Sequence, residues 1–320
     1  MKRNQLFFVL LCVLVLVTGT LSNPISAATA SNRLRIGMAN FTLGAPYFSG
    51  MSKAVQEEAA VYPNIQLFVT DAQSRADKLM ADIEDMISKG VKGVIISGAV
   101  LESHVPALNA LKKAKIPVVL VDRELKGGEY TSWVGPDNYQ IGVNNGEYIA
   151  KRLNGKGNLV LLKGGPADNS IGLARTNGAL SVLKKYSDIK VVATGWGEWN
   201  TEKAIKVMED ILAAHKDIDA VLCENDSMGL GAMIAIKNAK REKDIFIVGV
   251  DGQKEAIKAI IDGTNFECTG MNNSDIIGRA GFNRLMAILA GCRAPKKTVV
   301  DSPRIIRSNA ARYYNPDSVF

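Results

Sequence analysis

Histidine is nearly absent from this sequence: two in 320 residues, His104 and His215. Both fall in segments with helical patterning, and surface positions are expected for them. Cysteine is scarce too, with four residues and no C-x-x-C pair. Cys12 lies in an apolar N-terminal stretch, which leaves Cys223, Cys268 and Cys292. An odd number cannot pair fully within one chain, so neither a disulfide framework nor a zinc site is expected. Cys223 sits in an apolar, strand-like run and reads as a small core residue. There is no G-x-S-x-G, no H-E-x-x-H and no Walker P-loop, and "GGPADNS" (164–170) lacks the G-x-G-x-x-G spacing. No catalytic residue, metal or cofactor is therefore expected. Carboxylates alone can make a glycosidase pair, but a sequence does not give their separation.

Runs of one charge are also missing. Net charge is +7, yet no Lys/Arg cluster of the kind that binds nucleic acid occurs, so no nucleic-acid partner is expected. Long apolar runs are missing as well. The longest, Leu6 to Val17, is shorter than the ~20 residues of a membrane-spanning helix. It follows Lys2-Arg3 and precedes "SNPISAATA", the layout of a cleaved secretory signal over residues 1–30. Cleavage after Ala27 or Ala30 would leave a soluble, exported protein with a net charge of about +5. Leu11 before Cys12 argues against a lipoprotein signal.

What is present is alternation. From Arg33 onward, strand-like and helix-like segments take turns. "LRIGMAN" is followed by a helix near 48–61, and "IQLFVT" by a helix near 76–90 in which Leu79, Ile83 and Met86 share one face. "GVIISG", "IPVVLV" and "TSWVG" follow, and the pattern restarts with helix 140–153. The later strands are "NLVLLKG", "IKVVATG", "DAVLCEN", "DIFIVGVDG" and "FECTGM", each followed by a helix. Such alternation implies right-handed β-α-β units and parallel sheets. So many strands suit two lobes better than one sheet. No Pro/Gly/Ser-rich linker marks a boundary, which fits several crossings between closely packed lobes.

In open α/β sheets, ligands bind beyond the carboxyl ends of the strands. Those ends carry a consistent chemistry here. "PVVLVDRE" runs from a buried strand straight into Asp122-Arg123. "TLGAPYF" brings Tyr47 and Phe48, and "TSWVG" leads to Asp137-Asn138. Arg175 follows the glycine-rich loop, and "GWGEW" holds Trp196 and Trp199. Glu224, Asn225 and Asp226 follow one strand, Asp251 another, and Asn272 and Asn273 a third. Carboxylates accept from hydroxyls, Arg and Asn donate to them, and aromatic faces cover C–H surfaces, so the set suits a polyhydroxylated ligand. Asn200 and Asp226, each just before a helix, read as helix caps.

Taken together, "TLGAPYF", "IPVVLVDRE", "GPDN", "ARTNGAL", "ENDSMGLGAM" and "VGVDGQ" in this order resemble the exported sugar-binding proteins of the ribose/galactose type. The resemblance covers nearly the whole mature chain. It implies two doubly wound parallel-sheet lobes joined by three hinge crossings, with residues 31–136 and 273–303 in one lobe and 137–272 and 304–320 in the other. It implies ligand contacts from Tyr47, Phe48, Asp122, Arg123, Asn138, Arg175, Trp199, Asn225, Asp251 and Asn272. It also implies a periplasmic location, a small sugar or polyol ligand and an ABC importer permease as partner. A chemoreceptor or sensor partner is compatible. Ala45 stands where ribose binders carry an Asn, Trp199 where they carry a Phe and Asn272 where they carry a Gln, which points away from ribose itself. A repressor shares this core, but the export signal and the lack of an N-terminal helix-turn-helix argue against one. A secreted carbohydrate-active enzyme lacks its nucleophile or metal.

Overall fold

The structure is a computed structural model describing residues 33–98, 104–124, 128–165 and 170–320. The export-signal reading of residues 1–30 lies outside the described residues. Among the described residues there are two α/β lobes, each built on a six-stranded sheet. The first sheet comprises β1 (Leu34–Asn40), β2 (Ile65–Asp71), β3 (Val94–Ser97), β4 (Val118–Val121), β5 (Ser132–Pro136) and β11 (Lys297–Val300), in the order β11-β5-β4-β3-β1-β2. All its pairings are parallel. The second holds β6 (Lys156–Lys163), β7 (Asp188–Trp196), β8 (Ala220–Cys223), β9 (Phe246–Asp251), β10 (Phe266–Met271) and β12 (Arg304–Ile306), in the order β12-β10-β9-β8-β6-β7. Only the β10–β12 pair is antiparallel.

Apolar layers cover both faces of each sheet. Strands β3, β4 and β8 are buried along their whole length, which explains why they read as unbroken apolar runs rather than as alternation. In the first lobe, α1 (Pro46–Ala60), α2 (Ala76–Ser88), α3 (Val105–Lys113) and α9 (Ser274–Leu289) pack on the sheet. Leu79, Ile83 and Met86 of α2 are fully buried, as their spacing predicts. In the second lobe the helices are α4 (Asn138–Arg152), α5 (Ile171–Leu183), α6 (Thr201–Ala214), α7 (Asp226–Asn238) and α8 (Lys254–Asp262). The chain passes between strands of the two sheets three times, at Pro136–Asn138, at Met271–Ser274 and at Val300–Arg304.

Three findings depart from the sequence reading. Strands β11 and β12 were not foreseen. They are short edge strands with no helix between them, and β11 is half exposed, so neither carries an apolar run. His104 is not on the surface. It is fully buried at the start of α3, with its ring 5.1 Å from that of Phe41. The C-terminal residues do not stay with the second lobe alone: Phe320 returns to α1, its ring 5.3 Å from that of Tyr47.

Helices α4 and α5 meet almost backbone to backbone. A methyl on Gly142 would lie 2.0 Å from the Arg175 carbonyl oxygen, and one on Gly178 2.1 Å from that of Tyr139. No side chain fits there, and the nearest atoms belong to rigid main chain. We expect Gly178→Ala to push the helices apart and to lower stability by about 1–3 kcal/mol, the range for overpacked cores. Urea denaturation should show a lower midpoint with an unchanged slope.

Candidate functional site

The carboxyl ends of both sheets face a cavity of about 170 Å³. This is below the roughly 300–1,000 Å³ of sites for drug-sized ligands, so a small solute is the fitting occupant. Its first-lobe wall starts at α1. Pro46 takes the first helical position, where its missing N–H costs nothing. The helix thus begins two residues earlier than the sequence suggests, and Tyr47 and Phe48 project from its first turn, their rings 5.4 Å apart and edge to face. Ala45 occupies the N-cap without a side-chain hydrogen bond.

Asp122 follows β4 directly. Its backbone lies in the left-handed region (φ 69°), not in the extended form expected of a strand end. The strain is held from two sides: its N–H donates to Val134 at 2.9 Å, and its carbonyl accepts from the Trp133 indole at 3.2 Å. The carboxylate accepts from the Tyr47 hydroxyl at 2.8 Å, while Arg123 donates to Ser170 of the second lobe at 2.8 Å. The two neighbours thus reach different partners through a left-handed turn.

The second-lobe wall is organised by Arg175, which is only 4% exposed. Its Nε donates to Asn138 at 2.8 Å, its Nη2 pairs with Asp251 at 3.0 Å, and its Nη1 donates to the Glu224 carbonyl. Asn138 itself lies outside the cavity and serves to position Arg175. Asp251, the last residue of β9, is also strained (φ 122°). Asn272 joins the walls: its amide donates to Asp251 at 3.2 Å, and its carbonyl oxygen lies 3.1 Å from the Tyr47 hydroxyl. Trp199 is a third left-handed residue (φ 60°), and its indole lies on Gly164, where a methyl would meet it at 1.9 Å.

Nine of the ten expected residues thus line one cavity, Asn138 being the exception. Trp196 does not; it is 40% exposed beneath the ammonium of Lys163. The cap of α7 is Asn225, not Asp226: Asn225 accepts from the Met228 N–H at 2.9 Å. Asn200 caps α6 as expected. Asp226 instead turns inward and accepts from the backbone of Gly252 and Gln253, each at 2.8 Å, and from Thr269. The sequence reading missed Ile171, Ser227 and Phe320. Ser227 lies two residues after Asn225 and was within reach of the motif, whereas Phe320 gives no local signal.

Burial dominates the titration of this site. It raises Asp251 to about 6, against the opposing pull of Arg175. It also raises Asp122, with Arg123 and the Tyr47 hydroxyl opposing, and it lifts the Tyr47 phenol well above its ordinary range. Among the described residues, no cluster of His, Cys, Asp and Glu could hold a metal ion.

Two parallel-sheet lobes whose strand ends enclose one small cavity, crossed three times by the chain, define a hinged solute-binding protein of the type I architecture. The periplasmic binding protein domain matches residues 36–292, and the chain belongs to that family, whose members bind rather than catalyse. It is 30% identical over 292 residues to the ribose import binding protein RbsB of Salmonella typhimurium, covering 91% of this chain and 97% of that one. It is 30% identical to the xylitol-binding protein of Mycolicibacterium smegmatis, covering 88% of this chain and 80% of that protein. Among solved structures, an ABC transporter solute-binding protein of Bacillus halodurans with bound myo-inositol superimposes with a TM-score of 0.82 at 26% identity, covering 88% of this chain and 98% of that chain.

Asp226 supports the turn that carries Asp251. We expect Asp226→Ala to strand the Gln253 N–H and the Thr269 hydroxyl proton, the Gly252 N–H keeping the Thr269 oxygen at 3.2 Å, at about 1–3 kcal/mol for each buried group left without a partner. A total loss of at least about 2 kcal/mol should appear in chemical denaturation.

Proposed function

We propose that this protein is exported to the periplasm, captures a small sugar or sugar alcohol between its lobes, and delivers it to the permease of an ABC importer. The observation that carries this reading is the composition of the cavity between the strand ends. Asp122 and Asp251 offer acceptors, Arg123, Arg175, Asn225 and Asn272 offer donors, and Tyr47, Phe48 and Trp199 offer apolar faces. Hydroxyl groups and C–H faces are the two halves of a carbohydrate surface, and the cavity has about the size of one ring or a short polyol. The ligands named for the relatives, ribose and xylitol, and the myo-inositol in the superimposed structure support the same class. We divide the lobes at 136/137, 272/273 and 303/304 and read residues 1–30 as the export signal. Presentation of the same closed form to a sensor is the second reading; it uses the same cleft and differs only in the docking partner.

Thermal denaturation against a panel of pentoses, hexoses and polyols tests the proposal. A ligand at 100 times its Kd adds about 2.7 kcal/mol of stability, and a panel without any shift would sink it. With the best ligand in hand, Asp122→Ala should weaken binding ~10-fold, or ~100-fold if two hydroxyls donate to this carboxylate, since hydrogen bonds to charged groups contribute roughly 1.5–3 kcal/mol each. Calorimetric titration reads the difference directly. An equal Kd in a folded variant would remove Asp122 from the site.

Binding should also depend on pH. Asp251 titrates at about 6 in the free protein because burial disfavours its charge. Hydroxyl donors stabilise the carboxylate, so the bound form has the lower pKa. Affinity should therefore fall as pH drops below about 6, approaching ~10-fold per pH unit, and level off above pH 7. Near pH 6, binding should release protons, seen as a buffer-dependent enthalpy. Proton uptake there would contradict the role given to Asp251.

A further inference from the structure

The cavity has a wall that comes from neither sheet edge. Phe320 lines it and is 3% exposed. Its ring stands edge-on to that of Tyr47, with 5.3 Å between centroids and 86° between planes. The seat for it is built into α1: a methyl on Gly50 would lie 3.0 Å from the Phe320 Cβ. Two residues earlier, Ser318 is bonded to both lobes. Its hydroxyl lies 3.0 Å from an Asp275 carboxylate oxygen at the start of α9, and its carbonyl accepts from Lys254 Nζ, at the start of α8, at 2.5 Å. The same hydroxyl is 2.6 Å from the Phe320 carbonyl and accepts from the Phe320 N–H at 3.2 Å, so the segment is folded into a tight turn. The chain before it is held by the second lobe, where Tyr313 and Tyr314 pack on the core beneath α8 and Ala310 is fully buried.

These contacts do different things. Tyr313 and Tyr314 anchor the segment on one lobe. Ser318 and Phe320 then lie on the other, against α1 and α9, while Lys254 keeps the connection to the first anchor. A segment tied to both lobes resists their separation. Phe320 also adds an apolar surface beside Tyr47, the residue whose hydroxyl meets both Asp122 and Asn272. We propose that residues 318–320 form a clasp that holds the two lobes together and a third wall of the cavity, with Phe320 limiting the size of the ligand accepted. The wall rests on the sugar- or polyol-binding reading above; the clasp does not.

The test uses the full-length mature protein, Phe320→Ala, Ser318→Ala and a variant ending at Asp317, each checked for folding by circular dichroism. Small-angle scattering without ligand decides the clasp. The variant ending at Asp317 should have a larger radius of gyration than the wild type, and Ser318→Ala should shift the same way. An unchanged radius in both overturns the clasp. Calorimetric titration with xylitol and its six-carbon homologue sorbitol decides the wall. Phe320→Ala should lower the affinity for the ligand preferred by the wild type about tenfold, and it should shift the ratio of the two affinities toward sorbitol by about tenfold. An unchanged ratio overturns the wall. Failure of the wild type to bind any sugar or polyol would defeat the functional reading and the wall with it, and the scattering comparison would still decide the clasp.

Discussion

The guanidinium of Arg175 is the point on which the second lobe's half of the site depends. It is nearly sealed from water, and each of its three nitrogens has a partner on a different element: Asn138 on α4, the Glu224 carbonyl after β8, and Asp251 at the end of β9. Burying an ion pair is seldom a net gain in stability, because desolvation offsets the attraction. Its value here is geometric. The planar fork fixes the directions of its donors, and so fixes how the ends of two strands and one helix stand toward one another. The close approach of α4 and α5, permitted by Gly142 and Gly178, brings Arg175 near enough to Asn138 for this to work. A carbohydrate site needs donors and acceptors held at set separations, and one cation with three fixed partners supplies much of that order.

Backbone strain is also present in this place. Asp122, Trp199 and Asp251 all line the cavity, and all adopt left-handed backbone conformations that ordinary residues avoid. Such conformations cost of order 1–3 kcal/mol each and persist only where the surroundings over-determine them. The surroundings do so here. Trp133 and Val134 hold Asp122, Gly164 receives Trp199, and Asp226 ties down the turn after Asp251. A regular strand would throw successive side chains to opposite faces of the sheet. The left-handed turn instead brings a carboxylate over the strand end and into the cleft.

The sequence revealed most of this arrangement because the main signals are local. Buried parallel strands announce themselves as apolar runs, and the residues just beyond them fall at one edge by topology alone. That logic located Asp122, Arg175 and Asp251 and the aromatic turn at Tyr47. It failed where the decisive contact is distant or the local signal is shared. Asn225 and Asp226 are neighbours, and either suits a helix cap; only the packing against Gly252 and Thr269 shows that Asp226 points inward. His104 looked like a surface residue because one polar side chain on a helix usually is, and its burial against Phe41 comes from tertiary packing. Strands β11 and β12 gain their identity only from the edges they join, and Phe320 reaches Tyr47 across nearly the whole length of the chain.

The three crossings also set an order of assembly. Helix α9 covers β4 and packs on α1, and β11 completes the first sheet beside β5, yet both are encoded after the whole of the second lobe's parallel sheet. A chain appearing from its N-terminus could pair the second lobe's five parallel strands while the first lobe still lacked a helix and an edge strand; the second core itself is completed last, by Ile305 and Ala310. Contacts of such long range are slow to form. The first half of the molecule therefore stays unfinished until residues near 300 are free. Late closure of this kind keeps the edge of β5 and the face of β4 open while the rest of the chain is being made, so the last of its elements to appear, α9 and β11, act as the timer of the first lobe.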